Sequence, residues 1–420
     1  MAMAGAGAAP AWLARAAAAS GSARRPKVLV AIFQRGAVDG LNVLVPHGDP
    51  HYYGLRPSIA IPRAKVLDLD GMFGLHPSLA ALKKVYDAGH LAIVDAVGSP
   101  DPTRSHFDAQ DYMESGTPGV KSTSDGWLNR ALPREAEPAP VRAVAMGANL
   151  PRSLRGRNDA LAIGNLNEFQ LRDPKMGATF ESLYAAAGDP ALASASRETF
   201  EAMRVLQSLQ KQAYVPAGSV AYPGGRFGQS LKQIAQMIKA DIGLEVAFAD
   251  IGGWDTHVNE VGASAEIGQL ANLLTDFGSA LGAFYSDLGD HMADIVVVTM
   301  SEFGRTAREN GDRGTDHGHA NLMFVMGGGI HGGKVYGRWP GLAQEQLYEG
   351  RDLAVTTDFR SVLSEVVAGQ LGVRETAKVF PGFDPVRVGL IPTFLMTSSE
   401  SRAMRPATMK KAAEEGSPGI

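Results

Sequence analysis

Six short apolar runs separated by helical patterns constrain the fold of this chain more than any other feature of its sequence. The runs are KVLVAIF (27–33), LAIVDAVG (91–98), VRAVAMG (141–147), LEVAFAD (244–250), DIVVVTM (294–300) and LMFVMGG (322–328). Continuous apolar runs of this length are typical of strands buried on both faces of a parallel sheet. Helical spacing is found at about 76–89, 190–213, 227–241 and 262–290. We therefore predict an α/β fold with a largely parallel, doubly wound sheet flanked by helices.

The 420 residues contain no internal repeat and no long low-complexity linker, so we predict one domain with insertions over residues 27–397. Within it, residues 150–225 are rich in polar and glycine positions and are interpreted as an insertion or cap. Residues 398–420 are interpreted as a flexible tail. Residues 1–26 are rich in alanine and glycine and resemble the later part of an export signal without its positive start. The alternative for this segment is a disordered leader.

Composition excludes several classes of chemistry. Cysteine is absent, which removes thiolate catalysis, disulfides and cysteine-ligated metals. Any bound metal must therefore be held by Asp, Glu, His or hydroxyl groups. The net charge of −4 offers no basic surface for a nucleic-acid partner. No apolar run is long enough for a transmembrane segment.

Acidic and imidazole residues follow several of the predicted strands, most densely in GTDHGHAN (314–321). In an open α/β sheet the functional crevice lies outside the carboxyl ends of the strands. The candidate metal ligands at these positions are Asp39, Asp255, His257, Glu302, Asp316, His317 and His319. Each alone has an ordinary interpretation as a turn, a helix cap or a local ion pair. Together they predict a metal site at one edge of the sheet.

Such a ligand set suits one or two divalent ions, and zinc, manganese, iron, magnesium and calcium are not distinguished by it. The loop TRSH after the second run adds a catalytic set of Arg104, Ser105 and His106. The Ser105 hydroxyl is the candidate nucleophile. Arg104 or Arg35 is the candidate clamp for an anionic oxygen. In-line displacement at phosphorus or sulfur is the reaction that this inventory favours.

The longer motifs RGAVDGLNVLVP, RSHFDAQDYMESG, GGWDTH, VVVTMSEFGRTAREN and GTDHGHANLMFVMGGGIHGGKVYGRWPGL together resemble domain-of-unknown-function family 1501, over about residues 27–392. The resemblance implies an alkaline-phosphatase-like fold within the alkaline-phosphatase/sulfatase-like superfamily. It also implies a bacterial protein that is exported, usually by the twin-arginine pathway, and is periplasmic or secreted. Arg24 and Arg25 directly precede the first strand, so we do not interpret them as that signal.

The superfamily pattern can be compared with this chain one position at a time. Asp39 matches the metal aspartate of the first strand, and Ser105 is similar to the Ser or Thr nucleophile. Asp255 and His257 resemble a mid-chain ligand pair, and His317 or His319 resembles the final ligand histidine.

One position departs from the superfamily pattern. An Asp-His pair commonly follows the VVVT strand directly, whereas this chain has MSEFGRT. Either Glu302 substitutes for that pair, or Asp316 and His317 supply it from further along the chain. The number of metal ions, one or two, therefore stays open.

These features predict an exported metal-dependent hydrolase of a phosphate-type ester, acting on a small anionic ester or a cell-envelope substrate. Sulfate esters are less favoured, because SPDPTR (99–104) places serine, proline and arginine out of register for a formylglycine precursor. The alternative is a non-catalytic exported binding or assembly protein on a degenerate phosphatase-like scaffold. The glycines of GGGIHGG (327–333) lack a phosphate-loop pattern and are interpreted as tight turns. The oligomeric state is left open.

Overall fold

The computed structural model describes residues 25–133, 139–166, 190–211 and 213–392. The strands in these ranges are β1 (Val28–Gln34), β2 (Leu44–Val45), β3 (Leu67–Asp68), β4 (Gly74–Leu75), β5 (Leu91–Gly98), β6 (Ala143–Ala145), β7 (Leu161–Ala162), β8 (Val246–Ile251), β9 (Ile295–Met300), β10 (Asn321–Gly327), β11 (Lys334–Tyr336) and β12 (Thr357–Asp358). The α-helices are α1 (Gly40–Val43), α2 (Tyr52–Leu55), α3 (Ala80–Asp87), α4 (His106–Ser115), α5 (Trp127–Ala131), α6 (Pro190–Gln210), α7 (Arg226–Lys239), α8 (Gln269–Leu288) and α9 (Phe359–Leu371).

The main sheet of the described residues has nine strands in the order β11-β5-β10-β9-β1-β8-β6-β7, with β12 also paired to β5. β10 is antiparallel to both of its neighbours, and every other pairing in this sheet is parallel. A small antiparallel sheet is formed by β2, β4 and β3. The predicted α/β class and largely parallel sheet are confirmed.

Helices cover both faces of the main sheet, which explains why its central strands are largely apolar. Alternate side chains of β1 point to opposite faces. Val30 and Ile32 belong to the core under α3, α7 and α8, whereas Leu29 and Phe33 belong to the core under α5 and α9. All seven residues of β1 are buried.

The direction of β10 determines where the segment before it lies. Residues 301–320, here called the β9–β10 loop, connect the end of β9 to the start of β10. Because β10 runs antiparallel to β9, this loop leaves and rejoins the sheet at the same edge. That edge also holds the carboxyl ends of β1, β5 and β8.

All four predicted helical segments contain helices, although the segment predicted at 262–290 becomes helical only at Gln269. Helices α4 and α9 and the small sheet were not predicted. Within the predicted insertion at 150–225, β7 pairs with β6 at the edge of the main sheet. Residues 167–189 and most of the predicted leader and tail lie outside the described residues, so these domain predictions stay predictions. Among the described residues, no helix combines the length and apolarity that a membrane crossing needs.

Candidate metal centre

Three imidazole rings and one carboxylate converge at the carboxyl edge of the sheet, and we call His106, Asp255, His257 and His317 the centre. His317 Nε2 lies 3.0 Å from His106 Nε2 and 2.9 Å from His257 Nε2. Asp255 Oδ1 lies 3.4 Å, 3.0 Å and 3.3 Å from the Nε2 atoms of His106, His257 and His317 respectively. His106 begins α4, Asp255 and His257 follow β8, and His317 lies in the β9–β10 loop.

The outer nitrogen of each ring faces an oxygen that accepts a hydrogen bond. The Nδ1 pairs are His106 with Glu302 Oε1 at 2.8 Å, His257 with Asp316 Oδ1 at 2.9 Å, and His317 with the Arg104 carbonyl oxygen at 2.9 Å. A carbonyl oxygen only accepts, so His317 carries its proton on Nδ1 and presents the Nε2 lone pair inward. The same assignment fits the two rings that face carboxylates.

This arrangement fits a metal ion better than a set of mutual hydrogen bonds. With Nδ1 protonated on all three rings, the inward groups are three nitrogen lone pairs and a carboxylate oxygen. Arg305 donates to that oxygen and lies 3.4 Å from His257 Nε2, but no described donor reaches Nε2 of His106 or His317, so these lone pairs repel one another without a cation between them. Ligand atoms around a tetrahedral ion, with bonds of about 2.0–2.1 Å, are about 3.3 Å apart. The distances within the centre bracket that value. His106, Asp255 and His317 therefore form a possible metal site, with His257 Nε2 beside it.

Charges around the centre favour the ionised carboxylate and, at His317, the neutral ring. Burial alone would raise the pKa of Asp255, but the hydrogen bond from Arg305 Nη2 at 2.5 Å and its charge bring that pKa below the ordinary value. Burial lowers the pKa of the His317 ring. The hydrogen bond to Glu302 raises the pKa of His106.

Glu302 and Asp316 orient rings in this structure, although both were predicted as ligands. Glu302 is fully buried, and its Oε1 also accepts from Gly36 N and from Gln110 Nε2, each at 2.8 Å. Burial would raise the pKa of Glu302, yet the His106 hydrogen bond and these donors lower it. The hydrogen bond with His257 lowers the pKa of Asp316.

Arg305 fixes the backbone segments that carry the centre. Its guanidinium group donates to four carbonyl oxygens, those of Gly36, Ala37, Trp254 and Thr315. Gly36 has φ of +115°, and a Cβ atom there would lie 2.9 Å from Asp255 N. Only glycine permits this approach of the turn after β1 to the Asp255 loop.

Phe303 supports two of the rings from the protein side and was not predicted as a functional residue. Its ring centroid lies 4.9 Å from that of His106 and 5.1 Å from that of His317. Phe303 is buried and packs with Ala37 and Ala109. Its position next to Glu302 in SEFGRT was the available signal.

Two predicted ligands lie in other interactions. Asp39 is fully buried and forms a two-pronged ion pair with Arg56, with Nη1–Oδ2 at 2.5 Å and Nη2–Oδ1 at 2.9 Å. His319 is buried, its Nε2 lies 3.1 Å from the Ser99 carbonyl oxygen, and its ring packs on Tyr348. Neither side chain makes a described contact with the centre.

The two predicted arginine clamps are also paired with protein groups. Arg35 donates to Asp250, Gln110 and Glu114, each at 2.9 Å, through Nε, Nη1 and Nη2 respectively. Arg104 uses Nε and Nη2 to contact Asp352 and uses Nη2 to contact Glu349.

The predicted nucleophile lies between two segments that touch the centre. Ser105 is exposed, and its hydroxyl caps α4 by accepting from Asp108 N at 3.5 Å. The residue before it, Arg104, supplies the carbonyl oxygen that faces His317, and the residue after it is His106. The four side chains of the centre are between 23% and 46% exposed, so solvent reaches them.

Residues 26–380 match the family described as "Protein of unknown function (DUF1501)". No curated protein matches the chain. Similar solved structures are remote. The PsFucS1 sulfatase from Pseudoalteromonas sp. is 12% identical with a TM-score of 0.41, and the match covers 89% of this chain and 75% of that one.

Two further solved structures have similar scores. The C-terminal periplasmic domain of EcEptC from Escherichia coli, in complex with Zn, is 9% identical with a TM-score of 0.35, over 73% of this chain and 74% of that one. A protein in the alkaline phosphatase superfamily from Vibrio parahaemolyticus is 10% identical with a TM-score of 0.33, over 74% of this chain and 62% of that one.

Proposed function

The chain belongs to the DUF1501 family, and we propose that it is a metal-dependent hydrolase of a phosphate-type ester, with one divalent ion bound at the centre. The observation that carries the proposal is the inward convergence of three Nε2 atoms and Asp255 Oδ1, while each Nδ1 atom faces an acceptor. Three imidazoles favour zinc or a similar transition metal over magnesium and calcium, which prefer oxygen ligands.

His106, His257, His317 and Asp255 would hold the ion, whereas Glu302 and Asp316 keep two of the rings in the binding tautomer. A divalent ion held there supplies Lewis-acid activation of an oxygen nucleophile and stabilises negative charge on the substrate. Arg305 keeps Asp255 ionised through their 2.5 Å contact. Phe303 fixes the planes of His106 and His317.

We assign the nucleophile to the Ser105 hydroxyl because of its neighbours in the chain. The Arg104 carbonyl oxygen faces His317 Nδ1, and His106 is a member of the centre. Ser105 also lies at the start of α4, where the helix dipole stabilises a developing alkoxide. Among the two arginines we assign substrate binding to Arg104, through Nη1. All three nitrogen atoms of the Arg35 guanidinium already donate to protein acceptors.

Two measurements test this function. Mass spectrometry of protein purified without chelator should find about one transition-metal ion per chain, and His317→Ala should lose it. The native protein should then cleave at least one ester in a panel of aryl phosphates, phosphodiesters and sulfates, and Ser105→Ala should not. A metal-free native protein overturns the metal proposal, and full activity of Ser105→Ala overturns the nucleophile.

A non-catalytic binding protein is the second candidate, and the completeness of the ligand set favours it. Four protein ligands around a tetrahedral ion form a closed structural site, whereas catalytic zinc sites keep one position open. Metal content with no turnover of any ester in the panel would support this candidate. Turnover that disappears on metal removal and returns on reloading would exclude it.

We also propose that the chain is exported and acts in the cell envelope, on the basis of the Ala-rich start of the sequence. Fractionation of cells that express the full chain tests this directly. Recovery with periplasmic or secreted proteins is expected, and recovery with cytosolic marker enzymes would contradict the proposal.

A further inference from the structure

Beneath the centre, two threonine hydroxyls from different loops meet on one oxygen atom. Thr256 Oγ1 donates to Glu260 Oε2 at 3.0 Å, and Thr315 Oγ1 donates to the same atom at 3.1 Å. Thr256 lies between Asp255 and His257 in the chain, and Thr315 is two residues before His317. One carboxyl oxygen therefore joins both ligand-bearing loops.

The rest of the Glu260 carboxyl is held just as tightly. Its Oε1 accepts from Asn42 Nδ2 at 3.1 Å, and the whole residue is buried. Burial, followed by the neighbouring Asp39 charge, raises the pKa of Glu260 well above its ordinary value. Asn42 is itself held by Tyr52, whose hydroxyl donates to Asn42 Oδ1 at 2.7 Å.

The two loops also touch directly through their backbones. Asn259 N and Glu260 N donate to the carbonyl oxygens of Asp312 and Arg313, each at 2.9 Å. Thr315 N donates to the Thr256 carbonyl oxygen at 3.2 Å. A Cβ atom at Gly314 would lie 2.3 Å from the His257 carbonyl oxygen, so the loops pack backbone to backbone. A small change in the separation of these two backbones would move His317 relative to Asp255 and His257. Glu260 contacts both loops at this point.

We propose that Glu260 is a positioning residue of the metal centre, because its Oε2 atom binds Thr256 and Thr315 together and so, with the backbone contacts, holds the loop carrying Asp255 and His257 against the loop carrying His317. This inference rests on the metal centre of the proposed function. Groups that hold metal ligands in place commonly change metal affinity by about 10- to 100-fold when removed. Glu260 touches no ligand side chain itself, so its effect passes through Thr256 and Thr315.

The test measures Zn²⁺ affinity of the full chain by competition with a chromophoric chelator, together with the visible absorption of the Co²⁺-loaded protein. Glu260→Ala leaves both threonine hydroxyls without their acceptor, and we expect Zn²⁺ affinity to fall by about tenfold or more, with a shifted Co²⁺ spectrum. Thr315→Val removes one of the two bonds, and a smaller loss in the same direction is expected. Glu260→Gln keeps an oxygen acceptor and should restore most of the affinity.

Asp287→Asn is the matched control. Asp287 is a buried carboxyl on α8 that holds a different segment through Lys239, Tyr214 and Tyr222. Its replacement should lower stability without changing Zn²⁺ affinity.

Native affinity in folded Glu260→Ala overturns the inference but leaves the metal centre standing. If Glu260→Ala does not fold, native affinity in Thr315→Val overturns it. Absence of Zn²⁺ binding by the native chain overturns the proposed function and this inference with it.

Discussion

Among single residues, Asp95 is a buried carboxyl outside the centre. It lies in β5 where the pairing with β10 shifts register, next to Ala96 with φ of +50°. Burial raises its pKa from 3.8 to about 7, and Oδ2 has no hydrogen-bond partner among the described residues. The folded chain thus holds this proton more tightly than the unfolded chain. The contribution of Asp95 to stability therefore falls as the pH rises from about 4 to about 7.

We expect Asp95→Asn to remove this decline. At pH 8 the variant should be more stable than the native chain by up to about 4 kcal/mol, and near pH 4 the gain should disappear. Urea unfolding of both proteins across this pH range measures the difference. A difference that does not change with pH would contradict the assignment.

Glu302 is the second residue whose replacement gives a defined result. Glu302→Gln keeps the shape of the side chain but removes the charge that faces His106. The pKa of His106 in the metal-free protein should then fall from its raised value, and Zn²⁺ affinity should decrease by about tenfold. NMR titration of the imidazole and chelator competition measure the two effects. Native affinity in this variant would show that Glu302 does not act through the ring.

At this scale the sequence predicts which residues approach the edge of the sheet but not where each side chain points. Asp255, His257 and His317 lie together, and His106, which was predicted as a catalytic residue, lies with them. That they bind a metal stays a prediction. Asp39 follows β1, but it pairs with Arg56, the residue directly after α2, and α2 has no clear sequence signal. Such ion pairs depend on how separate segments pack together, and the residue pattern of a single strand does not predict that packing.

Among the elements, α4 begins at the proposed nucleophile, because Ser105 is also the N-cap of this helix. Ser105→Ala removes the N-cap and should lower the free energy of unfolding by about 1 kcal/mol, whatever its effect on activity. Ser105→Asn keeps a capping side chain without the hydroxyl and should restore that stability. Thermal or urea unfolding of both variants checks this. If Ser105→Asn is stable but inactive, lost activity is separated from lost capping.

The strands and long helices were predictable because burial on two faces leaves continuous apolar runs, and helical spacing separates them. The direction of β10 was not predicted. A parallel neighbour of β9 needs a crossover connection, usually through a helix, and residues 301–320 contain no helical pattern. That absence was the available signal for an antiparallel strand, and it explains how Glu302 and His317 lie at the same edge.

For the whole molecule, a bound ion should join the start of α4, the loop after β8 and the β9–β10 loop and so stabilise the fold. Zn²⁺ at about one hundred times its Kd should add about 2.7 kcal/mol to the free energy of unfolding. Thermal unfolding with and without Zn²⁺ measures this, and His317→Ala should remove the increase. An equal increase in that variant would place the stabilising ion elsewhere.

His106 and His317 are 211 residues apart in the chain. During synthesis on the ribosome, the four side chains of the centre therefore cannot come together until residue 317 has been translated and β10 has paired with β9. Imidazole sites rank divalent metals by affinity in a fixed order, so selectivity in cells depends largely on which ions are available. The pool of free ions in the compartment where β10 docks against β9 would decide which metal the mature protein carries.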